Sequence, residues 1–192
     1  MTTSSSTAAT RVRRATPDDV AAMDAMVHEL AEYEREPDAV EATPADLHAA
    51  LFGPDPRVHA HVAEAQDADG SWAVVGMAVW YLTYSTWTGR HGIWLEDLFV
   101  RPAARGAGLG RALLAALAAE CTERGYRRLE WWVLDWNTPA QGVYRSVGAR
   151  AEEDWTTWRL DGDGLAALAA RADAPASTRP ASARPAGPGG GR

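Results

Sequence analysis

Apolar positions first recur with helical spacing at Val20, Met23, Val27 and Leu30, a single stripe with Met26 beside it, as expected of a helix that buries one face. Its start is written just ahead, where Thr16-Pro17-Asp18-Asp19 supplies an N-cap hydroxyl, a proline at the first helical position and acids in the first turn. The stripe runs out near Tyr33, before the acids Glu34, Glu36, Asp38 and Glu41. Residues 11–15 read as a short strand before this helix. Thr43-Pro44 opens a second, shorter helix to Leu51, which Gly53-Pro54-Asp55-Pro56 breaks.

From His59 the pattern becomes that of strands, over 59–64, 72–83 and 93–100, with an Asp-Ala-Asp-Gly turn at 67–70 and a second turn at 89–92. Arg101-Pro102 stops the last of them. Leu109, Leu113, Leu117 and Cys121 then fall four apart in a helix over 108–124 that Gly125 closes. A buried-looking strand over 129–134, a short helix from Thr138-Pro139 to Val147, a last strand over 156–160 and a weak helix over 165–170 complete the reading. Short turns join the middle strands and a helix crosses over between later ones, so the expectation is one α/β (α+β) domain with a mixed sheet. The apolar periodicity occupies about residues 11–170. Residues 1–10 and 171–192, rich in Ser, Thr, Ala, Pro and Gly, are expected to be disordered tails because they cannot bury enough to offset chain entropy.

Composition narrows the function. The net charge of −7 argues against nucleic acid and favours a cationic partner. No run approaches the ~18 apolar residues of a membrane span, so a soluble cytoplasmic protein is expected. The single cysteine, Cys121, allows neither an internal disulfide nor a thiolate metal cluster, and no metal site is expected.

The strongest chemical signal is Arg105-Gly106-Ala107-Gly108-Leu109-Gly110, between a strand and a helix N-terminus. Glycines there let backbone N–H groups approach a pyrophosphate, and the helix dipole adds to the attraction. A Walker loop is excluded because the chain has no lysine: all 19 basic residues are arginine. A dinucleotide fingerprint needs a third small residue, where Arg111 or Leu113 stands instead. Glu130, 20 residues past Gly110, mimics the ribose acid of that fingerprint but lacks its glycine.

The Arg-x-x-Gly-x-Gly loop resembles the coenzyme A loop of the GNAT superfamily of N-acetyltransferases. The Leu98-Phe99-Val100-Arg101-Pro102 run before it, and Asn137 with Tyr144 seven residues on, extend the likeness. Glu29-Leu30-Ala31-Glu32-Tyr33-Glu34, the segment from Tyr81 to Arg90, Leu95-Glu96-Asp97 and Leu134-Asp135-Trp136-Asn137 are similar to the diamine (spermidine/spermine) N-acetyltransferases, above all their thialysine-acetylating branch. The likeness runs from about Arg13 to Leu160.

That resemblance implies acetyl-CoA as co-substrate, no metal, a homodimer and a small-molecule amine as acceptor. An amine with pKa ~10.4 is almost wholly protonated near neutrality, so the reaction needs a base; roughly 3 units, about 4 kcal/mol, must be offset. The resemblance makes Glu96 that base and Tyr144 the acid for the departing thiolate. It places residues 105–110 on the pyrophosphate, the backbone of Leu98 and Val100 along the pantetheine arm and Asn137 on its amide. Glu34, Trp87, Asp97 and Trp158 become contacts for the amine. By strand alternation Asp97 points away from Glu96 unless a β-bulge intervenes, as one does in this superfamily, so the sequence leaves open which acid takes the proton. Ser85 departs from the polyamine branch, which carries an acid there, and leaves diamines and thialysine-like amino acids open. The competing readings are an acetyltransferase for an antibiotic or protein amine, and an acyl-CoA-binding module without turnover.

Overall fold

A computed structural model describes residues 9–172, so the two expected tails lie almost wholly outside the described residues. The chain divides into two compact units, one reaching Arg150 and the other beginning at Ala151.

The first unit opens with β1 (Thr10–Arg14), a single helical turn at Pro17–Asp19 and α1 (Val20–Glu34). The backbone N–H of Thr16 donates to Asp19 Oδ2 at 2.7 Å, so the start read from Thr-Pro-Asp-Asp is built as a capping box. α2 (Pro44–Phe52), with Thr43 as its cap, leads into β2 (Val58–Gln66), β3 (Trp72–Ser85) and β4 (Arg90–Val100). After a turn at Pro102–Ala104 come α3 (Leu109–Arg124), β5 (Leu129–Glu130) and α4 (Thr138–Ser146).

The five strands lie in the order β1-β2-β3-β4-β5, antiparallel except for the β4–β5 pair. That one parallel pair is joined by α3, the crossover that parallel strands need. Strand alternation splits the core in two. Met77, Val79 and Phe99 pack under α1 and α2 with Met23, Met26 and Leu51. Ala78, Trp80, Ile93 and Leu95 pack under α3 with Leu113, Leu117 and Cys121. Cys121 is therefore a small core residue, as its spacing implies.

β5 is shorter than its sequence pattern. Only Leu129 and Glu130 pair with β4, opposite Ile93 and Trp94, and residues 131–134 form no strand. The apolar run there feeds aromatic contacts instead: Trp131 against Tyr144, with centroids 4.9 Å apart, and Trp132 edge-on to Trp94 at 4.8 Å.

Within the second unit the described structure is α5 (Gly162–Ala169). The strand expected over 156–160 is absent. A strand exists only as a partner in a ladder, and none forms on these residues, whose Trp158 and Leu160 are exposed.

Candidate active site

The site begins where the sheet parts. Beyond Trp94 and Glu130 the β4 backbone no longer has β5 beside it, and this open stretch carries Glu96, Asp97, Leu98 and Val100. On its other edge β4 stays paired to β3, with one irregularity: Val79 faces Asp97 while Trp80 faces Leu95. Glu96 is thus an extra residue, a β-bulge. Leu95 stays in the α3-facing core, whereas Asp97 lies opposite Val79, a member of the α1-facing core. The Trp94 indole N–H donates to Glu96 Oε2 at 3.0 Å, which puts Glu96 on that same face. The bulge cancels the alternation, and the two neighbouring acids point to one side.

Their surroundings differ. Glu96 is exposed and also hydrogen-bonds the Tyr81 hydroxyl, whose proton burial first, and then the charge of Glu96, hold more tightly. No donor among the described residues reaches Asp97. Burial first, then the charges of Glu96 and Glu34, push its carboxyl up to about 6. Glu34, at the end of α1, has its own carboxyl raised by partial desolvation. Its charge also acts on Tyr144, where burial is the larger cause and Tyr33 a smaller one, and together these hold the phenol above its ordinary value. Tyr144 therefore keeps its proton at neutral pH, and its hydroxyl donates to no described residue. Glu34 thus acts on Asp97 of β4 and on the tyrosine of α4 alike.

Arg101, at the end of β4, bonds Glu29 of α1 at 2.8 Å and the Val74 carbonyl at 3.1 Å, which fixes α1 over this strand. At the far end of α1 the Tyr33 hydroxyl donates to Asn137 Oδ1 at 3.1 Å, and the Ala140 N–H donates to the same oxygen at 3.3 Å. Asn137 thereby caps α4. Both protein partners use its oxygen, which leaves the amide NH₂ free to meet a carbonyl. The sequence reading passed over Tyr33, Tyr81 and Trp94 as site residues. Trp94 could have been found from its position two residues before Glu96 on the same strand, whereas nothing local ties Tyr33 to a residue 104 positions away.

The glycine loop meets the requirement for a phosphate cradle. Gly106 and Gly108 have φ of +86° and +79°, and a Cβ at residue 106, 108 or 110 would meet nothing within 4 Å. The backbone N–H groups from Gly106 to Arg111, those of Ala107 and Leu109 among them, donate to no described group, while their neighbours Arg105 and Ala112 do. Open space with a row of unspent amides at a helix N-terminus suits a pyrophosphate. Arg105 turns back from this loop: its Nε donates to the Val100 carbonyl at 2.9 Å and its guanidinium lies over the rings of Tyr33 and Phe99.

One expected contact, Trp87, lies away from the bulge. Trp87 sits in the turn between β3 and β4, 90% exposed, and the five residue steps from Arg90 to Leu95 separate that turn from the bulge by about 17 Å of strand. Trp158 belongs to the second unit and is 91% exposed.

Residues 23–149 match the Acetyltransferase (GNAT) family. Among characterised relatives, the thialysine N-epsilon-acetyltransferase of Sus scrofa is 37% identical over 83% of this chain and 97% of its own. The L-ornithine N5-acetyltransferase NATA1 of Arabidopsis thaliana is 28% identical over 82% and 87%. An integron cassette protein of known structure from the mobile metagenome of V. cholerae superposes with a TM-score of 0.67, at 26% identity over 83% of this chain and 97% of the other. The resemblance read from the residues holds across nearly the whole first unit, and the chain belongs to the GNAT family as an N-acetyltransferase.

Proposed function

We propose that this enzyme transfers the acetyl group of acetyl-CoA to a primary amine of a small molecule, a diamine, polyamine or thialysine-like diamino acid, by direct attack in a ternary complex. The observation that carries this reading is the gathering of Glu34, Glu96 and Asp97 at the parting of β4 and β5, with Tyr144 within reach of the same charge. Three carboxylates draw an ammonium group. One of the β4 pair then removes a proton, the amine nitrogen attacks the thioester carbon, and Tyr144 protonates the sulfur as the C–S bond breaks. The unspent amides of residues 106–111 hold the pyrophosphate, the β4 edge at Leu98 and Val100 pairs with the pantetheine arm once Arg105 yields the Val100 carbonyl, and the Asn137 NH₂ takes one of its carbonyls.

The relatives named for thialysine and ornithine both act on diamino acids by name, which favours that acceptor class. Ser85 agrees, because its hydroxyl accepts the Thr88 N–H in the turn at 3.3 Å and presents no charge. A homodimer in the cytoplasm completes the reading. Free-thiol release from acetyl-CoA over a panel of diamines, diamino acids, aminoglycosides and peptides tests it. Turnover of the small amines is expected. Tight coenzyme A binding with turnover of none would make the chain a binding module.

A further inference from the structure

The β-bulge brings two carboxylates to one face but gives them unlike surroundings. Glu96 is already engaged by the indole N–H of Trp94 and the hydroxyl of Tyr81. A proton reaches its oxygens only in competition with those donors. Asp97 has no donor among the described residues, is partly buried and stands beside two negative charges, Glu96 on its own strand and Glu34 on α1. No cation among the described residues acts on it to favour the ionised form. The neighbouring phenols of Tyr81 on β3 and Tyr144 on α4 are both held protonated. Glu96 already has its donors, whereas Asp97, without one, gains most from accepting a proton.

We propose that Asp97 takes the proton from the bound amine, while Glu96, oriented by Trp94 and Tyr81, stays ionised and holds the ammonium group in place. The assignment rests on the acetyl-transfer reading above. The ammonium gives one proton to Asp97 and its freed lone pair bonds to the thioester carbon. The C–S bond breaks, and Tyr144 protonates the departing sulfur. The second N–H proton, lost as the adduct collapses to the amide, restores Tyr144, and Asp97 returns its proton to water. One proton is released per turnover. The Asp97 carboxyl, held at about 6, is ionised at neutral pH and basic enough to serve.

The test is kcat and KM from pH 5 to 9.5 for the full chain and its Asp97→Asn, Glu96→Gln and Trp94→Phe variants, with an acceptor from the panel. Expected for the unaltered chain is a rise in kcat/KM with an inflection near pH 6. Asp97→Asn should lose this rise and fall about 10²–10⁴-fold at pH 7, the usual span for proton transfer by a side chain. Glu96→Gln should keep the rise but at lower pH, because one of the two negative neighbours is gone, and should raise KM for the amine. Trp94→Phe should leave the inflection where it is. The opposite pattern overturns the assignment: Glu96→Gln without the rise, Asp97→Asn with the rise shifted to lower pH, and Trp94→Phe with it shifted to higher pH. The Trp94→Phe profile decides the matter even where an acid variant fails to fold. No turnover by the unaltered chain on any amine overturns the acetyl-transfer reading and the assignment together, whereas turnover with the opposite pattern overturns the assignment alone.

Discussion

The two edges of β4 differ sharply. Towards β3 it is paired along its whole length, from Ser85 opposite Arg90 to Gly76 opposite Val100, in an antiparallel ladder closed by a short turn. Towards β5 it pairs at two residues, in parallel, through a helix-long connection. The closed edge tolerates one defect, the extra residue Glu96. The open edge carries the candidate chemistry. Stability and reactivity thus divide along a single strand: the β3 side holds it in place, and the open stretch leaves Asp97 without a described donor, unspent for substrate.

That contrast can be broken most forcefully at Tyr144, on the far side of the opening. Tyr144→Phe keeps the ring against Trp131 and deletes the proton. Its kcat should fall about 10²–10⁴-fold with little change in acetyl-CoA affinity, and a loss under about threefold, far below the general-acid range, would reduce the residue to packing. Steady-state kinetics with calorimetric binding measures both.

The glycine loop comes next. At Gly108 the φ of +79° disfavours any side chain by about 1–2 kcal/mol, and a valine would stand in the open space over the amides. Gly108→Val should weaken acetyl-CoA binding at least about tenfold by calorimetry, because keeping a phosphate off these amides forfeits at least one charged hydrogen bond of about 1.5–3 kcal/mol. Unchanged affinity in a folded variant would remove the loop from the site.

The paired sheet and the open site also carry opposite dependences of stability on pH. On the α3-facing side of β2, His61 is held down to about 4 by burial and then by Arg14, and its Nδ1 accepts the Trp80 indole N–H at 3.2 Å. The unfolded chain takes up that proton more readily, so the stability His61 contributes is present above about pH 6.5 and lost as pH falls toward 4. Asp97 runs the other way, since its folded value lies above the unfolded one. Its ionisation costs stability above about pH 6, and that cost is relieved as pH falls. Asp97→Asn should therefore raise the melting temperature at pH 8 and not at pH 4, whereas His61→Gln should flatten the acid slope between pH 6.5 and 4. Thermal melts across that range read both, and a destabilised Asp97→Asn at pH 8 would show that the acid is better solvated than its surroundings imply.

The smallest expected effect is at Tyr33. Removing its hydroxyl in Tyr33→Phe frees the Asn137 oxygen, and one neutral hydrogen bond of about 0.5–1.5 kcal/mol should appear as roughly a 2–10-fold rise in KM for acetyl-CoA with kcat nearly unchanged. A change confined to kcat would place Tyr33 in the chemistry.

Much of this was legible from local pattern. The cap at Thr16, the i, i+4 stripe on α3, the three middle strands and the glycine loop each depend on residues within a few positions of one another, and the structure builds them with ends moved by up to three residues, the largest shift being β4, which starts at Arg90 inside the expected turn. The strand expected over 156–160 and the full length of β5 failed for the opposite reason. Alternation makes a segment able to be a strand, but a ladder needs a neighbour, and the neighbour is chosen by the fold.

The acids show the same limit at the site. That Glu96 and Asp97 are adjacent, and that one suits a base, follows from the chain as written. Which face each takes depends on a one-residue slip in register against β3, a property of two strands together. Their inequality depends on Trp94, Tyr81 and Glu34 arriving from the strands and helix around them. Residue types and short spacings determined the chemistry available to this protein, because propensity, capping and periodicity act over a turn or two of chain. Burial, field and hydrogen-bond partners set which group does what, and only tertiary structure decided those, because they sum over atoms that are distant in sequence.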